Sequence, residues 1–100
     1  MKGTTPLNIG FGNFVIAQRI IAVVDPFSSP VKHLIQEARK RGNLLNAAKG
    51  KRTRSAIFMD DGTIVLSSLS PMALARRLEE LAFPSPEKKP TEIPPEEVGE

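Results

Sequence analysis

Two of the three Ser-Pro dipeptides in this 100-residue chain, Ser29-Pro30 and Ser70-Pro71, limit the folds open to it. A serine offers a side-chain oxygen to the free amides of a helix start, and a proline in the first helical position forfeits no hydrogen bond there. Each dipeptide opens an apolar stripe. After the first, Val31, Leu34, Ile35 and Ala38 recur at helical spacing until Gly42. Arg39, Lys40 and Arg41 fall in that helix's last turn, where cations suit the negative end of the dipole. After the second come Leu74, Ala75, Leu78, Leu81 and Ala82. Arg76, Arg77, Glu79 and Glu80 make the opposite side of this second helix a mixed-charge face that reads as solvated.

The segments outside the helices read as strands. Phe14 to Val24 is rich in Val and Ile and predicts one long strand, and Leu44 to Ala48 a weaker one. Ser55 to Met59 and Thr63 to Ser67 flank Asp60-Asp61-Gly62, a hairpin-turn sequence. The expected fold is therefore α+β: a small antiparallel sheet with two helices. Alternation along the long strand puts Phe14, Ile16, Ile20, Ala22 and Val24 on one face and Val15, Ala17, Ile21 and Val23 on the other. Two apolar faces need two covers. Helices cover one; a second subunit is the economical cover for the other, so self-association is expected. Arg19 stands as an isolated cation in this run, suited to an ion pair or to a phosphate.

From Pro84 onward the composition changes. Five of the last seventeen residues are Pro, and Ile93 and Val98 are the only aliphatic side chains. Such a segment buries too little to order itself, so residues 1–83 form the expected domain and residues 84–100 a disordered, acidic tail. Charge divides at the same place. The first 83 residues hold twelve Lys or Arg against six Asp or Glu, and the tail two against five. The folded part is thus more basic than the net +3 of the chain, which favours a polyanionic partner.

Enzymatic readings find little support. The chain has no Cys and a single His, His33, so thiolate chemistry, multi-histidine metal sites and a nucleophilic triad are all without their residues. Gly10-Phe11-Gly12 lacks the third glycine and the following helix of a dinucleotide loop. These glycines suit a bulge or a left-handed turn instead. Gly50-Lys51-Arg52-Thr53 lacks the earlier glycine of a phosphate-binding loop. No cofactor is expected, and with no apolar run long enough to span a bilayer, the expected location is cytoplasmic and nucleoid-associated.

The positive reading comes from Lys49-Gly50-Lys51-Arg52-Thr53-Arg54, four cations in six residues between two strands. Cations so dense repel one another and are stabilised by a polyanion such as a phosphate backbone. Arg52 and Arg54 suit forked contacts with phosphate or guanine, and Lys51 a point charge. Lys32, His33 and Lys49 are secondary candidates. All five aromatic residues are Phe, placed near the expected core or element ends. That placement leaves no stacking platform for single strands and favours duplex DNA. An RNA- or ribosome-associated accessory protein is the alternative.

Asn8-Ile9-Gly10-Phe11-Gly12-Asn13, Pro26, Ser29-Pro30-Val31-Lys32, Ala38 to Gly42 and Gly50 to Arg54 together resemble the RemA family of extracellular-matrix regulators. The similarity runs from about Leu7 to Leu81 without gaps. It implies a bacterial DNA-binding transcriptional activator of biofilm matrix genes, with a fold akin to the LytTR-type DNA-binding domain. It also implies ring-shaped homo-oligomers wrapped by DNA, with Arg19, Lys51, Arg52 and Arg54 as the contacts. Pro30 falls at a position whose integrity matters in the family. Lys51 departs from the usual arginine, keeping charge but not the planar fork, and Asn46 stands where an acidic residue is common.

Overall fold

The computed structural model describes residues 3–82, so the expected boundary at Phe83 and the tail lie outside the described residues. Six strands and two helices follow in the order β1 (Pro6–Gly10), β2 (Asn13–Ile16), β3 (Ile20–Val24), α1 (Ser29–Arg41), β4 (Leu44–Asn46), β5 (Ser55–Met59), β6 (Ile64–Ser67) and α2 (Pro71–Ala82), with a single 3₁₀ turn at Ala17–Arg19 between β2 and β3. The α+β class is as the sequence predicts. The sheet differs in detail: β1 and β2 form a separate antiparallel hairpin, and the remaining strands form a four-stranded sheet in the order β3-β5-β6-β4. That sheet is mixed, because β4 runs parallel to β6 while the other pairs are antiparallel.

The Ser-Pro dipeptides mark both helix starts to within one residue, and a glycine cap ends α1. In α2 the Ser70 hydroxyl accepts the amide of Ala73 at 3.1 Å, the expected use of a serine ahead of a first-position proline. α1 begins one residue earlier than its dipeptide suggests, with Ser28 as the extended flanking residue and Pro30 still in the first turn. Gly42 ends it at φ 77°, and the amides of Gly42 and Asn43 return to the carbonyls of Arg39 and Ala38. This is the Schellman arrangement, whose left-handed residue is least costly as glycine.

The central strands divide the core into two. Along β5, Ala56 and Phe58 face α1, where Ile35 and Ala38 are buried against them together with Ile64 and Leu66 of β6. Ile57 and Val65 point the other way, into a cluster with Leu7 and Ile9 of β1, Ala17, Leu69, and Ala73 and Leu74 of α2. The result is three layers: α1, the sheet, and a second cover made of the hairpin and α2. Period-two alternation in two buried strands explains why both faces are apolar.

The expected long strand is broken, and the reason is tertiary. The amide of Ala17 donates to the carbonyl of Thr5 at 2.8 Å. The Gln18 amide group accepts from Thr5 N and donates to Thr5 Oγ1, each at 2.8 Å. These bonds hold residues 17–19 as a 3₁₀ turn, which turns the chain from the hairpin into the sheet and resets the alternation. Much of β3 is covered within the chain, Val24 packing toward α1 and Ile20 and Val23 toward α2, so a second subunit is not needed as the cover for a whole strand face. What stays uncovered is narrower: β3 is an edge strand with Ile21 exposed, beside an apolar groove lined by Pro71, Met72, Ala75 and Leu78 of α2.

A second correction concerns α2. Arg77 belongs to no solvated face: it is partly buried and donates from Nη1 to the carbonyl of Asn8 at 2.8 Å, joining the helix to β1.

Candidate nucleic-acid interface

The basic loop leaves β4 and returns as β5, and it is fastened at both ends. On the β4 side the Ala47 amide donates to the carbonyl of Leu66 at 2.9 Å, and Asn46 Oδ1 accepts the Ala48 amide at 3.0 Å. An aspartate at residue 46 would supply the same acceptor, so asparagine there retains the local geometry. Ala48 is buried. Lys49 and Gly50 then both take positive φ, 51° and 78°, and Lys51 N closes the turn onto the carbonyl of Ala48 at 3.0 Å. Positive φ at both central residues is the signature of a type I′ turn, tight and matched to strand twist. On the β5 side the Arg54 amide donates to the carbonyl of Ser67 at 2.8 Å.

Anchored in this way, the turn carries its four cations outward. Lys49, Lys51, Arg52 and Arg54 are all exposed. Two phenylalanines flank them. The Lys49 ammonium lies 6.0 Å from the centre of the Phe11 ring, at the tip of the β1–β2 hairpin. The Arg52 guanidinium lies 5.4 Å from the ring of Phe27, just ahead of α1. The contact to Phe27 brings the start of α1 beside the loop, and Lys32 and His33 stand exposed in its first two turns.

Arg19 is elsewhere. It sits in the 3₁₀ turn and its Nε donates to Asp60 Oδ1 at 3.0 Å, an ion pair between side chains that stay 58% and 45% exposed. Its carbonyl accepts the Asp60 amide at 2.8 Å. Asp60 opens the β5–β6 turn, whereas Arg54 lies just before the other end of β5. Six residue steps of extended chain separate Asp60 from Arg54, roughly 20 Å. Within one protomer, therefore, Lys49, Lys51, Arg52 and Arg54 form one cationic centre with Lys32 and His33 near its margin, and Arg19 forms another.

The Asp60-Asp61-Gly62 sequence makes the expected turn. Asp61 Oδ1 accepts the Thr63 amide at 2.9 Å, and Gly62 has φ 90°. The Thr63 amide beside it, helped by the Thr63 side chain, holds the Asp61 carboxyl below the ordinary 3.8. Among the described residues no group of His, Asp or Glu is arranged to hold a metal ion, and no helix is long and apolar enough to cross a membrane.

One premise of the sequence reading changes here. Phe14 and Phe27 lie near element ends, as expected, but both are exposed, so rings are after all available at the surface. Phe14 alternates outward on a hairpin strand, and Phe27 sits in the linker between β3 and α1. Neither position is visible in a hydropathy pattern. Sequence reasoning missed Phe27 as part of this site. The signal it could have used is the run Asp25-Pro26-Phe27, a large apolar residue in a turn sequence ahead of a helix start.

Comparison with known proteins bears on the whole of this arrangement. The family model described as extracellular matrix regulatory protein A-like matches residues 7–78, from β1 into α2. This chain belongs to the RemA-like family. Relatives from Bacillus cytotoxicus (strain NVH 391-98), Bacillus mycoides (strain KBAB4) and Bacillus cereus (strain B4264) are each 54% identical to it over 72 residues, 72% of this chain and 83% of theirs. All three carry provisional names as regulatory proteins. In this RemA-like chain the matched span includes Arg19, Lys32, His33 and the complete basic loop.

Proposed function

We propose that this RemA-like protein is a transcriptional regulator that binds double-stranded DNA as a ring-shaped homo-oligomer, bending or wrapping the duplex and activating matrix genes. The observation that carries the reading is the basic loop: four exposed cations on a turn held at both ends by backbone hydrogen bonds. A rigid display of charge loses little ordering entropy when phosphates arrive. The separation of Arg19 from the loop supports the multimeric form. Two cationic centres roughly 20 Å apart suit phosphates on different stretches of one duplex.

Self-association has its own support in the groove between β3 and α2. Ile21 and Met72 are 69% and 68% exposed on its two sides, and among the described residues β3 has no neighbour along its outer edge. An open strand edge beside exposed large apolar side chains is a surface that soluble proteins ordinarily cover.

The mechanism is phosphate neutralisation repeated over several protomers, with site preference drawn from DNA bendability. With four phosphates neutralised by each engaged protomer, the logarithm of affinity falls against the logarithm of salt with a slope of about −3.6 per protomer. Gel-shift titration of duplex DNA with wild type and Arg52→Ala/Arg54→Ala, with oligomer mass recorded alongside, tests the assignment. Lost binding by an intact oligomer is the expected result. Undiminished binding moves the interface off the loop. A wild type that ignores duplex DNA and binds structured RNA overturns the proposal in favour of an RNA-associated role.

A further inference from the structure

We infer that Phe27 is a positioning residue for the DNA contact, a fixed shelf on which the Arg52 guanidinium lies with its edge free for phosphate. The inference rests on the DNA-binding reading above.

Phe27 is 50% exposed, while Pro26 beside it is buried. Its backbone is held from both sides. The Pro26 ring fixes its own φ angle immediately before Phe27, and the Phe27 amide donates to Asp25 Oδ1 at 2.8 Å in an Asx turn. Two residues later α1 begins, with Pro30 in its first turn. The ring thus has a defined place relative to the sheet.

Arg52 faces the opposite situation. It follows a type I′ turn on a long side chain, and a free arginine there spreads over many rotamers, few of them directed at one phosphate. Its guanidinium carbon lies 5.4 Å from the centre of the Phe27 ring, within cation–π range. An arginine that meets a ring through its flat face keeps the forked N–H donors, which lie in its plane, available for bidentate phosphate contact. Phe27 therefore raises the fraction of Arg52 that is ready to bind before DNA arrives, and affinity rises with that fraction. The Lys49–Phe11 contact is a weaker counterpart, since 6.0 Å is at the limit of the interaction and an ammonium has no flat face to stack.

The test compares wild type, Phe27→Leu, Phe27→Tyr, Arg52→Ala and the Phe27→Leu/Arg52→Ala double variant in duplex-DNA titrations by fluorescence anisotropy, with oligomer mass and melting temperature as controls. Phe27→Leu keeps the apolar bulk but removes the ring, and is expected to weaken binding about two- to fivefold for each engaged protomer. It removes no charge, so the salt slope holds, whereas Arg52→Ala lowers the slope by about 0.9 per protomer. Phe27→Tyr is expected to match wild type. In the Arg52→Ala background Phe27→Leu is expected to cost nothing further, because its effect passes through Arg52. NMR of the Arg52 side chain gives a reading without DNA, a ring-current shift in wild type that disappears in Phe27→Leu. If Phe27→Leu melts early, Arg52→Lys replaces it, keeping charge while losing the stacked plane. Wild-type affinity in Phe27→Leu alongside weakened Arg52→Ala overturns the role of Phe27 alone, as do fully additive costs in the double variant. No binding by wild type, with no effect from Arg52→Ala, overturns the DNA reading and this inference together.

Discussion

Replacing Ser67 by alanine is the sharpest probe of how the two sheets are joined. Ser67 is fully buried at the end of β6. Its hydroxyl donates to the carbonyl of Ile9 at 2.8 Å and accepts the amide of Leu69 at 3.0 Å. Ile9 lies in the β-bulge where the β1–β2 register shifts between Asn8 and Gly10. The bulge takes Ile9 out of the regular ladder, and the serine answers its carbonyl from the neighbouring sheet. Alanine leaves that carbonyl and the Leu69 amide buried without their partner. At about 1–3 kcal/mol for each orphaned group, with partial relaxation, the expected loss is about 2–4 kcal/mol. Ser55 is the internal control, since it is equally buried and its hydroxyl donates to the carbonyl of Leu69. Ser55→Ala orphans one group and is expected to cost about half as much. Urea unfolding at matched protein concentration, read by circular dichroism with a common m-value, measures both. For a domain of this size the Ser67→Ala loss corresponds to a melting temperature lowered by roughly 10–20 °C. A loss below about 0.5 kcal/mol, or a Ser55→Ala loss equal to it, refutes the accounting of orphaned groups.

Further perturbations follow from the turns. Gly50→Ala meets no steric obstacle, yet φ of +78° strains any L-residue, so a loss of about 1 kcal/mol in thermal unfolding is expected, with a loosened loop. Asp60→Asn removes an exposed ion pair and is expected to change stability by less than about 1 kcal/mol; if Arg19 contacts DNA, the same variant binds duplex more tightly in anisotropy titrations, because Arg19 no longer shares its charge. The lowered carboxyl of Asp61 contributes stability fully present above the unfolded value near 3.8 and lost as pH falls through the lower folded one. Thermal melts from pH 5 to 2 are expected to show this component in wild type and lack it in Asp61→Asn, which keeps the acceptor oxygen without the titration.

Local chemistry was legible in the sequence wherever a few adjacent residues decide the outcome. Ser70-Pro71, Gly42 and Asp60-Asp61-Gly62 each act within a turn or two, and each marks its element in the structure. The basic loop was legible because its charge density and its flanking strands are both local. Failures came where distant residues decide. Ile16 to Ile20 reads as strand by composition, and the pull of Thr5 on Ala17 and Gln18 overrides it from twelve and thirteen residues away. β1 is hidden in the sequence because Pro6, Asn8 and Gly10 all have poor strand propensity, and pairing with β2 outweighs that. The four cations of the loop are adjacent in sequence and so stay together in space, but the distance of Arg19 from them depends on which end of β5 each residue flanks, a matter of topology.

The strand order β3-β5-β6-β4 has a consequence for how the chain is born. After the β1–β2 hairpin, synthesis delivers β3, α1 and β4, yet β3 and β4 belong at opposite edges of a sheet whose middle does not yet exist. Neither has a ladder partner until the β5–β6 hairpin emerges, and that hairpin is the most local pairing in the four-stranded sheet. Closing it costs little chain entropy, and it then templates both edges. The folding nucleus is therefore expected in the C-terminal half, with φ-values at Ile57 and Val65 above those at Val23 and Leu44; the reverse order in a mutational scan would show that α1 organises the sheet instead. Until the hairpin arrives, the nascent first half is a pair of waiting strand edges, and that interval is when this chain is most open to mispairing with its neighbours on a polysome.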